Sequence, residues 1–65
     1  MKLKVNGRDI EFDGKTVLDL VDHYRLDRGR VVVERNGKIV HRQDIERTLL
    51  EEGDSLELVR FVGGG

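Results

Sequence analysis

Sixty-five residues, with 12 basic and 13 acidic side chains, a formal charge of −1 and 37% apolar content, make one small domain. The chain is too patterned in apolar residues to be disordered and too charged to span a membrane. The two signs are interspersed, which leaves no basic footprint for nucleic acid, and the absence of cysteine removes disulfides, thiolate metal ligands and sulfur nucleophiles together. No basic stretch followed by an apolar run opens the chain, so the expected setting is the cytoplasm, with neither nucleic acid nor membrane as a partner.

Lys2 to Asn6 alternates polar and apolar with Leu3 and Val5 on one face, and Asn6-Gly7 supplies the positive-φ pair of a tight type I′ turn. The returning strand, Asp9 to Phe12, keeps the inward parity through Ile10 and Phe12. Asp13-Gly14 ends it. Thr16 then stands at an N-cap position with Asp19 three residues on, a capping-box pair that also meets the positive end of a helix dipole. Val17, Leu20, Val21 and Tyr24 fall at i, i+3, i+4 and i+7, which predicts a helix lying across the inner face of a sheet, with Tyr24 in the core and Leu26 closing the far end.

Asp27 to Gly29 reads as a loop, and Val31-Val32-Val33, β-branched throughout, as a central strand. Asn36-Gly37 is a second hairpin signal, with Ile39 and Val40 on its return. Gln43 to Leu50 has weak helical spacing through Ile45, Leu49 and Leu50, which predicts a short helix or 3₁₀ turn. Glu52-Gly53-Asp54 marks the final turn; the last strand places Leu56 and Leu58 inward and Glu57, Val59 and Phe61 outward. No composition break divides the chain. The prediction is an α+β domain over residues 1–62, one main helix on a mixed sheet of four to five strands, followed by a flexible glycine tail at 63–65.

Gly63, Gly64 and Gly65 serve a fold poorly, because glycine loses the most conformational freedom on ordering. They serve a delivery arm well. Three extended residues reach about 10 Å, and with no side chains to obstruct a narrow channel they can carry the α-carboxylate of Gly65 into another protein's active site. Ordering the arm costs about 1–2 kcal/mol per residue, which that protein must offset through the arm's backbone groups.

The order of these elements, with Thr16-Val17 opening the helix, Asn36-Gly37 in the second hairpin, Glu52-Gly53-Asp54 before the last strand and a glycine-glycine end, resembles the ubiquitin-like β-grasp sulfur carriers. Over essentially the whole chain it is most similar to the ThiS family of thiamine biosynthesis; the somewhat longer MoaD-like subunits of molybdopterin synthase are the alternative within the same fold. It departs from the pattern in having His41 where proline is expected after Ile39-Val40, and three terminal glycines where two suffice. The resemblance implies a β-grasp fold and a protein co-substrate rather than an enzyme. The carboxylate matching Gly65 would attack the α-phosphate of ATP inside a ThiF-like adenylating enzyme. Sulfur from a donor such as a cysteine desulfurase persulfide would then replace AMP, leaving a thiocarboxylate for a ThiG-like thiazole synthase. It also implies that no cofactor is bound by this chain and that ATP belongs to the partner, in keeping with the lack of a G-x-x-x-x-G-K-[ST] segment around Lys15.

Docking needs a surface, and parity offers Val32, Val59 and Phe61 on the outward face, bordered by Glu34, Glu57 and Arg60. His23 and His41, with no carboxylate pattern around them, read as solvated residues and predict no metal. Two further readings of the tail stay open at this point: a ubiquitin-like modifier, whose activated carboxylate joins a lysine amine, and an interaction module with an inert end.

Overall fold

The computed structural model describes residues 1–61; the expected tail at 63–65 lies outside them. Five strands, β1 (Lys2–Val5), β2 (Arg8–Glu11), β3 (Val31–Arg35), β4 (Lys38–Val40) and β5 (Ser55–Arg60), form one mixed sheet in the order β2-β1-β5-β3-β4. β1 and β5 run parallel at its centre, and every other neighbour is antiparallel. One helix, α1 (Val17–His23), covers a single face. The α+β expectation therefore holds, at the upper end of the strand count.

Both hairpins turn where an asparagine precedes a glycine. Asn6 and Asn36 sit at φ 50° and 52°, Gly7 and Gly37 at 83° and 85°, the left-handed pair that matches strand twist in a two-residue turn. This fixes the register, Val5 opposite Arg8 and Arg35 opposite Lys38. At Gly14 the requirement is space rather than φ: a Cβ there would lie 2.5 Å from the Phe12 ring and 2.7 Å from Asp19 Cβ.

α1 begins at the expected cap. Thr16 Oγ1 accepts from Asp19 N–H (3.1 Å), while the Asp19 carboxylate accepts from the N–H groups of Lys15 (2.8 Å) and Thr16 (3.0 Å). Those backbone donors hold the Asp19 carboxyl below its ordinary pKa. Two more orphan donors of the first turn are satisfied from across the fold: Val17 N–H donates to Thr48 O and Leu18 N–H to Ile45 O. That explains why no α-helix forms over 43–50. Ile45 O, which such a helix would use for the N–H of Leu49, is already taken by α1; Asp44 O still accepts from Thr48 N–H (2.9 Å), and the helical part of the segment is the 3₁₀ turn Arg42–Asp44, one of the two expected forms. Ile45 and Leu50 are buried as expected. Leu49, expected inward, is exposed, because it lies in a bridge with Thr16 where alternate residues point opposite ways. His41 holds φ −68° and ψ 152°, the backbone that a proline would impose.

The other end of α1 corrects a second expectation. Tyr24 is not core: it is the C-cap and 40% exposed. Arg25 reverses the chain at φ 57°, Leu26 N–H returns to Val21 O, and Leu26 takes over the packing that the apolar spacing gave to Tyr24. The core is Leu3, Val5, Val33, Leu56 and Leu58 from the sheet against Val17, Leu20 and Val21, with Phe12, Ile45 and Leu50 at the flanks. Each such side chain contributes about 1.5–3 kcal/mol by leaving water.

Candidate functional site

Both the carboxylate of Gly65 and the glycines Gly63 and Gly64 fall outside the described residues, so the structure bears on the site through what β5 presents before them. β5 is held on both sides. Toward β3 it pairs from Val31 opposite Arg60 to Arg35 opposite Leu56, and Phe61 N–H donates to Arg30 O at 2.8 Å, continuing the ladder by one residue. Toward β1 the pairing is shorter, reaching only Val5 opposite Leu56. Asn6 extends it with its side chain, Oδ1 accepting from Leu58 N–H (2.8 Å) and Nδ2 donating to Leu58 O (3.3 Å).

The base of β5 is anchored by Asp54, a residue that sequence reading placed only in a turn. Its carboxylate accepts from Arg35 Nε (2.8 Å), Asn36 Nδ2 (3.0 Å) and Glu51 N–H (2.8 Å), and its carbonyl accepts from Lys4 N–H (2.9 Å). Asn36 in turn brackets Ser55, accepting its N–H and donating to its carbonyl. Burial pushes the Asp54 carboxyl up, but the hydrogen bonds from Asn36, Arg35 and Glu51 and the charge of Arg35 outweigh it, and the pKa ends below the ordinary value. One aspartate thus ties the second hairpin, the final turn and the central strand pair into a rigid mount.

On the face away from α1, Val32 stands directly opposite Val59, and Phe61 follows on the same parity. Val59 is 56% exposed and Phe61 57%; Val32 is half-buried between its neighbours. The structure therefore brings the three parity-selected residues onto one surface. It adds Ile39, 57% exposed and opposite Glu34 on β4, which the Asn36-Gly37 turn register could have placed beforehand. Arg60, expected on the rim of this surface, is instead on the other face: it pairs with Val31, whose side chain is buried, and lines a groove with Tyr24 and Leu26.

Charges on the open face follow a pattern with one exception. Lys2 faces Glu11 and Lys4 faces Asp9, opposite signs in both cases, whereas Glu34 faces Glu57. Like charges directly opposite one another are unfavourable, and neither glutamate forms an ion pair among the described residues. The apolar patch of Val32, Ile39, Val59 and Phe61 is therefore bordered by an unneutralised acidic pair. Among the described residues no group of three or more His, Cys, Asp or Glu could hold a metal ion, and no helix is long and apolar enough to cross a membrane.

Comparison with known proteins supplies what the described residues do not. The chain is 38% identical over 65 residues to the sulfur carrier protein ThiS of Bacillus subtilis, covering 97% of this chain and 98% of that protein. It is also 39% identical over 66 residues to a thiazole synthase of Paramagnetospirillum magneticum, where all of this chain matches 20% of the larger protein. The crystal structure of the thiamine biosynthesis protein ThiS from Geobacter metallireducens superposes with a TM-score of 0.82 at 33% identity, covering 100% of both chains. The ThiS family model matches residues 3–65, from the first strand through the last glycine, and the chain belongs to the ThiS family.

Proposed function

We propose that this chain is a sulfur carrier for thiamine biosynthesis whose working group is the carboxylate of Gly65. The observation that carries the reading is the family match running through residue 65, joined to a fold in which the rigid central strand leads directly toward that end. A carboxylate is a poor acyl electrophile, so activation comes first: one oxygen of Gly65 attacks the α-phosphate of ATP in a ThiF-like partner, and pyrophosphate leaves. The terminal sulfur of a persulfide donor then attacks the acyl carbon and displaces AMP. A thiol cleaves the remaining S–S bond and leaves the thiocarboxylate, the form in which sulfur reaches the thiazole ring. Apart from that terminal carboxylate the chain supplies no nucleophile, and the nucleotide belongs to the partner; the chain is consumed and regenerated as a co-substrate.

The recipient is a thiazole synthase of the ThiG kind. Support comes from the thiazole synthases that contain a segment similar to this entire chain, an arrangement that keeps carrier and recipient together. Val32, Val59 and Phe61, with Ile39, form the apolar centre of the docking surface, and Glu34 and Glu57 its acidic border; a partner presenting apolar groups beside a lysine or arginine complements both.

The test is intact mass after incubation with ATP, the adenylating enzyme and a persulfide donor. Exchange of one oxygen for sulfur is expected on the native chain, and none on a chain carrying one extra residue after Gly65. A native chain that stays unchanged, or that forms isopeptide conjugates instead, would sink the carrier assignment.

A further inference from the structure

The groove on the α1 side of β5 has a volume of about 360 Å³. Its floor is Val5, Leu26 and Leu58, and its rim carries Arg8, Arg60 and Tyr24. Three independent features of this groove are unused by the fold. First, neither Arg8 nor Arg60 has an acidic partner among the described residues. Second, Tyr24 packs edge-on against His23 yet keeps 40% of its surface exposed at the rim of the groove. Third, β5 has an open side here. Leu58 directs its N–H and C=O toward β1, where Asn6 meets them, and Phe61 directs its N–H toward β3. Strand alternation therefore turns the N–H and C=O of Arg60 toward the β1 side, beyond the end of β1, where no described residue meets them.

We propose that this groove receives an extended, acidic segment of the adenylating enzyme, which adds to the free side of β5 at Arg60 as a short further strand. The inference rests on the carrier reading for the identity of the partner. An added strand supplies the missing carbonyl and N–H to Arg60, and its side chains alternate. One can therefore lie on the Val5, Leu26 and Leu58 floor beside the Tyr24 ring, while a carboxylate meets Arg8 and Arg60, which share the inward parity of Val5 and Leu58. The site is separate from the open face of the sheet and opposite in charge to its Glu34–Glu57 border. A partner using both would grip β5 from two sides at the last described residues before Gly65, fixing the direction in which the chain end leaves the domain.

The experiment is residue-resolved amide hydrogen exchange of the full chain, free and saturated with purified adenylating enzyme, together with affinities of Arg8→Glu, Arg60→Glu and the double variant. Both arginines are exposed, and Arg8→Lys and Arg60→Lys serve as charge-conserving controls. The expected result is an Arg60 amide that exchanges rapidly in the free chain and is protected in the complex, with affinity falling about tenfold or more in the double reversal and little in the lysine variants. An Arg60 amide unprotected in the complex, a change under about twofold in the double reversal, or protection produced only by thiazole synthase would each overturn the proposal. A double reversal that still acquires sulfur at the wild-type rate, with wild-type affinity, removes the groove and leaves the carrier reading intact. A wild-type chain that neither binds nor acquires sulfur removes both.

Discussion

The two faces of the sheet are built from alternate residues of the same strands, yet they carry opposite burdens. On the inner face Leu3, Val5, Val33, Leu56 and Leu58 are each at most 8% exposed and packed against α1. On the outer face, at the alternate parity, Val59 of β5 and Phe61 just beyond it are more than half exposed. Because side chains in a strand alternate with a period of two, one six-residue strand, β5, can serve folding with Leu56 and Leu58 and recognition with Val59 without either compromising the other. The contrast teaches that hydrophobicity alone does not mark function in this chain. On the proposed docking reading, what marks it is apolar character at the parity that the core does not use.

The largest effect should come from breaking the inner face. Leu56→Ala removes a fully buried side chain at the centre of the sheet and is expected to cost about 3–5 kcal/mol, a large share of what a domain of this size has. Urea unfolding would show it as a lower midpoint at unchanged slope. Asp54→Ala should follow, at about 2–3 kcal/mol, because it strands Arg35, Asn36 and the Glu51 N–H at once. Its pH dependence has a definite sign. The folded-state pKa of Asp54 lies below its ordinary value, so its contribution is fully present above the unfolded-state pKa and is lost as pH falls through and below it. Between about pH 5 and 2, the stability of the native chain should therefore decline more steeply than that of Asp54→Asn; parallel decline would rule out this role for the carboxylate. Thr16→Ala, which removes one half of the capping box, should cost about 1 kcal/mol and leave sulfur transfer unchanged when measured well below the unfolding midpoint.

Most of the scaffold was legible because its signals are local. The two Asn-Gly turns fix hairpin register, Thr16 and Asp19 announce the helix start, and alternation from Leu56 to Val59 assigns the two faces of β5 correctly. The misreadings occur where a distant partner decides. The spacing of Ile45, Leu49 and Leu50 predicts a short helix or 3₁₀ turn; the 3₁₀ form is found, but at Arg42–Asp44 and with Leu49 exposed, in a segment whose Ile45 and Thr48 carbonyls accept from the N–H groups of Leu18 and Val17, a pairing invisible in a linear pattern. Tyr24 has the period of the core stripe, yet the helix ends there and Leu26 folds back in its place. Asp54 looks like an ordinary turn residue until Arg35 and Asn36 arrive from another hairpin. The exposed apolar patch was readable in part: parity selected Val32, Val59 and Phe61, while Ile39 required pairing across β4, and Arg60 was assigned to the wrong face although its parity matches Leu58.

The smallest stability change and the sharpest functional one should coincide on the outer face. Val59→Ser and Phe61→Ser expose no core and strand no buried polar group; each should alter unfolding free energy by no more than about 0.5 kcal/mol. The same pair of substitutions removes the centre of the apolar patch. If that patch docks the partners, the double variant should bind the adenylating enzyme or the thiazole synthase more weakly by about tenfold or more, since central apolar and aromatic groups carry most of an interface's energy. Glu34→Lys offers a finer probe. It should relieve the Glu34–Glu57 repulsion and stabilise the free chain slightly, while weakening any complex in which a partner cation sits between the two carboxylates. A variant that gains stability and loses affinity would separate recognition from folding on one residue; a gain in both would show that the acidic pair is not read by the partner.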